Sequence, residues 1–242
     1  ICVGWLKLYW DERLNKMIAL LPMKKNSERI PGKNVKLLNG KPLFFYIADK
    51  LKETGLFDKL VINTDGARIS SLSRKRYGNW VEIIERPKSL IGGNISMNWV
   101  IAHDISIIGE ENDYFQTHST NPLLTRETIS SGAQLYESKN FNLKWDSIFS
   151  VNVLQVRLYD KKIKPLNHNI NVLGRTQDLE EIYEENSNFY IFSGKSFKKT
   201  QQRIGIKPYA YRMDRRSMES LDIDEPSDWK FLEQLMQIGA VL

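Results

Sequence analysis

Short apolar, β-branched runs recur along the chain: Ile18–Leu21, Lys59–Asn63, Trp80–Ile84, Tyr114–Thr117, Ser147–Val153, Phe189–Phe192 and Tyr209–Met213. Several are continuous rather than alternating, as strands buried on both faces are. Helix-period segments fall between them. Leu43, Ile47, Ala48 and Leu51 lie on one stripe. Met97, Val100, Ile101, Ile105 and Ile108 form a second, broken only by Asp104. Thr125 is placed to cap a third helix over Ile129–Tyr136, and a last helix, Asp228–Ile238, follows Pro226. Strands alternating with helices predict an α/β fold, with a mainly parallel sheet and helices on both faces.

Two stretches break the rhythm. Leu154–Ser187 is polar, carries Pro165, Gly174 and several Asn, and shows no core face. It reads as a loop excursion or as an arm on a partner subunit. Residues 1–16 are too short and too charged late on for a secretory signal. Met17, directly before the first strand, is a plausible native start. Residues 1–16 are therefore expected to be an extension or an upstream translation artefact outside a single domain of residues 17–242, in a cytoplasmic protein.

The 242 residues fit one large α/β domain, and 41% apolar content supports a substantial core. A net charge of +6 favours an anionic ligand. The acidic residues are interspersed, and no aromatics cluster on a basic face, so a nucleic-acid partner is not expected. Cys2 is the only cysteine and the three histidines are dispersed, which disfavours disulfides and a zinc site. No apolar run approaches the length of a membrane span. Neither a G-x-G-x-x-G nor a G-x-x-x-x-G-K-[ST] phosphate loop occurs.

The first apolar run empties into a loop bearing Lys24, Lys25, Arg29, Lys33, Lys36 and Lys41 against Glu28 alone. From charge alone this is as readily a solvated loop as a triphosphate cradle. Near the other end stands Asp222-Ile223-Asp224. In an extended strand residues two apart share a side, so the two carboxylates can meet one magnesium ion; alternatively, Asp224 serves only the dipole of the last helix. Asn63-Thr64-Asp65 ends the second strand, where open α/β sheets bind ligands, and is equally a simple turn with Gly66. Glu85-Arg86-Pro87 follows the third strand.

The ordered set of these segments resembles the acylneuraminate cytidylyltransferases, also called CMP-sialic acid synthetases. It comprises Asn26-Ser27-Glu28-Arg29-Ile30-Pro31-Gly32-Lys33-Asn34 with Leu38-Asn39-Gly40-Lys41-Pro42, then Asn63-Thr64-Asp65 and Gln116-Thr117-His118-Ser119-Thr120-Asn121-Pro122. Gly174-Arg175-Thr176-Gln177-Asp178 with Glu185-Asn186-Ser187 and Asp222-Ile223-Asp224-Glu225-Pro226 complete it. The chain departs from the family pattern at Lys24 to Asn26, at Glu28, at His118 (normally Gln) and at Ser187 (normally Gly).

The resemblance implies a Rossmann-like nucleotidyltransferase domain of the nucleotide-diphospho-sugar transferase type. It implies attack by an acidic keto-sugar, sialic-acid-like and nine-carbon or related, on CTP to give a CMP-sugar and pyrophosphate. Lys24 and Lys33 would act on the triphosphate, with Asn26, Ser27, Arg29, Asn34 and Asp65 completing the nucleotide site. Asp222 and Asp224 would hold Mg2+. His118, Thr120, Arg175, Gln177, Asn186 and Tyr190 would face the sugar acid. The family's corresponding region dimerises, so Leu154–Ser187 would reach a partner's site in a homodimer. Two other readings stand beside this: a non-catalytic nucleotide- or sugar-binding protein on the same fold, and a basic RNA-binding domain, which has net charge alone in its favour.

Overall fold

The computed structural model describes residues 17–172, 174–214 and 217–239. The expectation for residues 1–16 lies outside the described residues.

In chain order the elements are β1 (Met17–Leu20), a hairpin of β2 (Leu37–Leu38) and β3 (Lys41–Pro42), α1 (Leu43–Thr54), β4 (Phe57–Thr64), α2 (Ala67–Tyr77), β5 (Val81–Glu85), α3 (Met97–Ile108) and β6 (Asp113–Thr117). Then come α4 (Arg126–Glu137), α5 (Phe141–Lys144), β7 (Ser147–Leu154), β8 (Ile182–Ser193), α6 (Gly194–Thr200), β9 (Pro208–Met213) and α7 (Pro226–Gln237). Seven strands form one mixed sheet in the order β5-β4-β1-β6-β8-β7-β9. The half containing β5, β4, β1 and β6 is parallel, and β9 is parallel to β7. Only β8 runs antiparallel, to both β6 and β7. The expected mainly parallel sheet is therefore present, with one reversed strand at its centre.

Helices cover both faces. Strand alternation sends Met17, Ala19, Leu60, Ile62, Phe115 and Ile191 to the face packed by α1, α2 and α4. Ile18, Leu20, Val61, Tyr114 and Phe192 go to the face packed by α3 and α6, through Ile101, Ile105 and Phe197. The α1 stripe is buried as its period requires, and Gly55 ends the helix in the left-handed conformation at φ 67°. Asp104, the polar break in the α3 stripe, is buried too and accepts from Asn63 Nδ2 at 2.6 Å. The Thr125 hydroxyl accepts from Thr128 N, as expected of a cap. The last helix begins two residues earlier than its apolar period suggests. Pro226 opens it, and Glu225 and Asp228 exchange bonds in a capping box.

A third cluster ties this last helix to the loop after β1. Trp229 and Leu232 of α7 pack with Ile30, Leu38, Leu43, Leu123 and the fully buried Ile223. Burying one such aliphatic side chain is worth about 1.5–3 kcal/mol. The cluster therefore holds the Asp222–Asp224 segment against the Lys24–Asn34 loop.

The segment between β7 and β8 is shorter than expected. Ile182–Ser187 belongs to β8, paired with β7 from Leu154↔Ile182 to Val151↔Glu185. The irregular part covers 155–172 and 174–181, with an isolated bridge between Tyr159 and Pro165. It is also less polar at its surface than its composition suggests: Val156, Tyr159, Ile163, Leu166, Ile170 and Val172 are exposed.

Candidate functional site

The chain reverses its direction of travel across the sheet at β1, which has β4 on one side and β6 on the other. Such switch points open a crevice beyond the carboxyl ends of the strands. A cavity of about 560 Å3 lies there. Its lining comes from the segments that follow β1 (Met23, Lys24), β5 (Arg86) and β6 (His118, Ser119, Thr120), from the loop bearing Ser27, Arg29, Lys33 and Asn34, from Gly92–Gly93 before α3, and from Ser187, Arg203, Asp222 and Asp224.

The cationic loop is fastened rather than free. Gly32, at φ 62°, turns the chain into a single 3-10 turn over Lys33–Val35. That turn points Lys33 inward: it is 8% exposed, and its ammonium donates to the Ile223 carbonyl at 2.6 Å and to Asp224 Oδ1 at 3.3 Å. Arg29 reaches Asp224 Oδ2 at 3.1 Å and Glu225 Oε1 at 2.9 Å. The Asn34 amide is used at both ends, donating to Lys24 O at 2.8 Å and accepting from Ser119 Oγ. Its side chain therefore sets the shape of the loop. Lys24 and Ser27 line the cavity. Asn26 is not among its lining residues. Asp65 is also outside it and accepts from Lys25 N at 2.6 Å, bracing the loop from behind.

Asp222 and Asp224 do not lie in a strand. They sit in an irregular segment whose Ile223 N–H donates to Thr120 O at 2.9 Å. The alternation inferred from a strand nevertheless survives: Ile223 is buried in the third cluster while both carboxylates line the cavity. Burial raises the Asp222 pKa, partly offset by a bond with Thr120, and the Asp224 charge raises it further. Its Oδ1 is buried without a hydrogen-bond partner among the described residues. An orphaned carboxylate oxygen beside a second carboxylate is a donor set that suits a hard divalent cation, with phosphate and water completing the shell. Among the described residues no group of three or more His, Cys, Asp or Glu side chains is placed to hold a metal.

Arg86 is buried against the cavity and donates to Asn63 Oδ1 at 2.7 Å and to Asn63 O at 2.9 Å. Asn63 in turn holds Asp104, whose pKa burial pushes up to about 7. This network fixes the end of β4.

At the other end of the cavity, His118 Nε2 lies 3.1 Å from Gln116 Nε2 and 3.3 Å from Arg203 Nη1. Gln116 Nε2 also donates to Thr117 O at 2.9 Å, and Gln116 Oε1 accepts from Arg203 Nη1 at 2.9 Å, which fixes the amide orientation. Two donors facing one ring nitrogen make it the acceptor. The proton therefore sits on Nδ1, and the ring is neutral. Burial, and then the Arg203 charge, push the His118 pKa down to about 3.

Asn186 and Tyr190 flank a bulge in β8, where the register jumps between Phe149↔Tyr190 and Val151↔Glu185. Asn186 is buried, donating to Asn152 Oδ1 at 2.9 Å. Tyr190 is fully buried, with its hydroxyl bonded to Glu185 and Ser187. Ser187, at φ 57°, is the bulge residue that reaches the cavity. That left-handed backbone is why glycine suits this position. Arg175 and Gln177 lie elsewhere. The Arg175 side chain is 72% exposed and paired two-pronged with Asp178 at 2.8 and 2.9 Å. Gln177 lines a separate hollow with Val153 and Arg212. Arg203 has no signal in the sequence: it stands in no recognisable motif, and a long-range fold contact alone brings it to the site.

The sequence profile of the family described as Cytidylyltransferase matches residues 18–242. The pseudaminic acid cytidylyltransferase of Campylobacter jejuni is 24% identical over 238 residues, 93% of this chain and 97% of that protein. The CMP-N,N'-diacetyllegionaminic acid synthase of Legionella pneumophila is 25% identical with the same shares covered. The N-acylneuraminate cytidylyltransferase of Escherichia coli is 24% identical over 92% of this chain but only 52% of its own length. Among solved structures, a CMP:2-keto-3-deoxy-manno-octonic acid synthetase complexed with CTP shares the fold with a TM-score of 0.64 at 11% identity, covering 93% of this chain and 99% of that one. A 4-diphosphocytidyl-2C-methyl-D-erythritol synthase from Anaerococcus prevotii does so with a TM-score of 0.63 at 9% identity, covering 92% and 99%.

Proposed function

We propose that this chain, which belongs to the cytidylyltransferase family, activates a nonulosonic acid, an acidic nine-carbon keto-sugar, in a magnesium-dependent reaction. The coarser activity follows from the family: it is a nucleotidyltransferase that activates a sugar with CTP. The finer reading is supported by relatives whose names specify pseudaminic, legionaminic and N-acylneuraminic acids. The observation that carries it is the meeting of the Asp222–Asp224 pair with the Lys24–Asn34 loop in one crevice at the sheet's switch point.

In-line transfer at a phosphorus depends on alignment and on neutralising charge, and less on covalent chemistry by the protein. Lys24 and Arg29 face the cavity as cations for the triphosphate. Lys33 keeps the Asp222–Asp224 segment in register through the Ile223 carbonyl, and lends its charge beside Asp224. Asp222 and Asp224 would hold Mg2+, which supplies charge neutralisation at the phosphates and acidifies a bound hydroxyl. Thr120 positions Asp222, and His118 borders the acceptor sugar. The 155–181 arm, with its exposed apolar side chains, would join two copies in a homodimer. The test is pyrophosphate release from CTP and Mg2+ across a panel of keto-sugar acids. Turnover with a nonulosonic acid is expected. Turnover only with an eight-carbon acid, or with none, would overturn the assignment.

A further inference from the structure

We propose that Arg203, supplied by the chain's own α6–β9 loop, is the receptor for the substrate's acidic group, with the Nδ1–H of His118 directed at a neighbouring sugar oxygen. This rests on the sugar-acid reading above and names the part of the site that selects the acid.

Of the cavity's arginines, Arg29 is paired with Asp224 and Glu225 and Arg86 is engaged by Asn63, which leaves Arg203 to be weighed against Arg175 of the arm. Arg175 is exposed and already satisfied by Asp178 through both prongs of its fork. The Arg203 side chain is 17% exposed and lines the cavity. Its guanidinium lies 3.7 Å over the Tyr190 ring, which fixes its plane. Gln116 Oε1 takes one of its five N–H groups directly. Glu185 stands at 3.5 Å from Nη2, half-exposed, as a loose counter-ion rather than a bonded partner. A desolvated guanidinium with donors to spare, at the wall of a water-accessible cavity, is a site for a planar anion.

The loop that carries it is built in advance. Asp146 accepts from Ile206 N at 2.7 Å and from Lys207 N at 3.0 Å, and Ser147 Oγ accepts from Gly205 N at 2.9 Å. A Cβ at Gly205 would overlap the Asp146 carboxylate, so only glycine permits the clamp. The clamp and the Tyr190 stack leave little ordering for a ligand to impose, which is how preorganisation adds affinity.

The neutral His118 belongs to the same device. Gln116 and Arg203 occupy its Nε2, and its Nδ1–H has no partner among the described residues. It can donate to a hydroxyl or amide oxygen of the sugar without adding a second charge.

The experiment compares the wild-type enzyme with Arg203→Gln, Arg203→Lys and Arg175→Ala. The probes are a sugar acid that the wild type turns over and its carboxamide analogue. Arg203→Gln should raise KM for the acid by about tenfold or more, the loss expected for one charge-assisted contact. Arg203→Lys should fall between the two, and the Kd for CTP by calorimetry should stay within about twofold, as a contact confined to the sugar end requires. The carboxamide should bind wild type and Arg203→Gln alike. An unchanged KM for the acid in either Arg203 variant that still binds CTP would overturn the proposal, as would equal losses for acid and carboxamide. If Arg203→Gln does not fold, the Lys variant decides. A wild type inactive with every acid would instead sink the sugar-acid reading itself.

Discussion

The Lys24–Asn34 loop and the 155–181 arm are both irregular and both rich in lysine and arginine, yet the fold treats them in opposite ways. The loop is closed on itself and on the Asp222–Asp224 segment. Lys33 donates to a backbone carbonyl, Asn34 is used at both ends, Arg29 is paired twice, and Ile30 is buried. The arm's polar contacts stay mostly within it: Asp160 accepts from Lys162 N and Lys164 N, Asn167 bonds Leu158 N and Val156 O, Gln155 Nε2 donates to Gln177 O and Leu179 O, and Arg175 pairs three residues on, while Arg212 of β9 reaches in to Glu181. Its apolar side chains meet water, with Ile163, Leu166, Ile170 and Val172 all more than 60% exposed. Irregular backbone is held where tertiary contacts converge on it. Irregular backbone whose contacts stay local leaves its apolar surface for another chain.

The largest expected effect tests the closed region. Asp222→Asn and Asp224→Asn should each lower kcat by orders of magnitude, since a metal-held transition state loses several kcal/mol with a ligand carboxylate. Unchanged unfolding temperatures would show that the Ile223 anchor survives. Wild-type pyrophosphate release in both variants, at saturating Mg2+, would remove the metal role from this pair.

The arm is tested by its apolar face. Leu166→Asp with Ile170→Asp should convert a dimer into a monomer by light scattering, because two buried charges without partners oppose association. A fully active wild-type monomer would erase the contrast drawn between the two regions.

Lys33→Ala and Lys24→Ala separate fastening from binding. Losing Lys33 strands the buried Ile223 carbonyl, at a cost of about 1–3 kcal/mol, and should also weaken CTP binding. Lys24 is exposed, so its loss should weaken CTP binding alone. Equal denaturant midpoints for Lys33→Ala and wild type would show that the loop is not fastened through Lys33. In calorimetry CTP should bind more tightly than ATP, GTP or UTP.

A smaller effect concerns pH. The His118 pKa is pushed down to about 3, below its ordinary value, so between the two the unfolded chain binds a proton that the folded chain refuses. This contribution to stability is present above about pH 6.5 and is lost as pH falls toward 3. His118→Gln should flatten that acid limb in denaturation midpoints measured from pH 7 to 4, whereas Arg175→Ala, at an exposed ion pair, should change stability by less than about 1 kcal/mol at any of these pH values.

Much of this architecture is written locally. Period and burial agree for α1, α3 and α4, and continuous apolar runs mark β1, β4 and β6, because each is buried on both faces. The alternation of Asp222 and Asp224 about Ile223 and the density of cations after β1 were legible, since two-residue alternation and charge density are local properties; that they line one cavity is the fold's doing. Other elements carried no local mark. α2 buries only Ile69, Ser73 and Tyr77, so it has no apolar stripe to read. The β8 bulge that brings Ser187 to the cavity depends on pairing with β7, not on its own residues. The sequence points to Arg175, which stands in a recognisable motif, and not to Arg203, which stands in none; the structure reverses that order. Packing alone lays Arg203 on Tyr190 beside Gln116, 87 positions away, and leaves Arg175 in solvent. Sequence thus determined which elements form and where cations and carboxylates gather. The tertiary structure decided which of those charges lose their water, because desolvation depends on every neighbour that the fold brings and on none that the chain order shows.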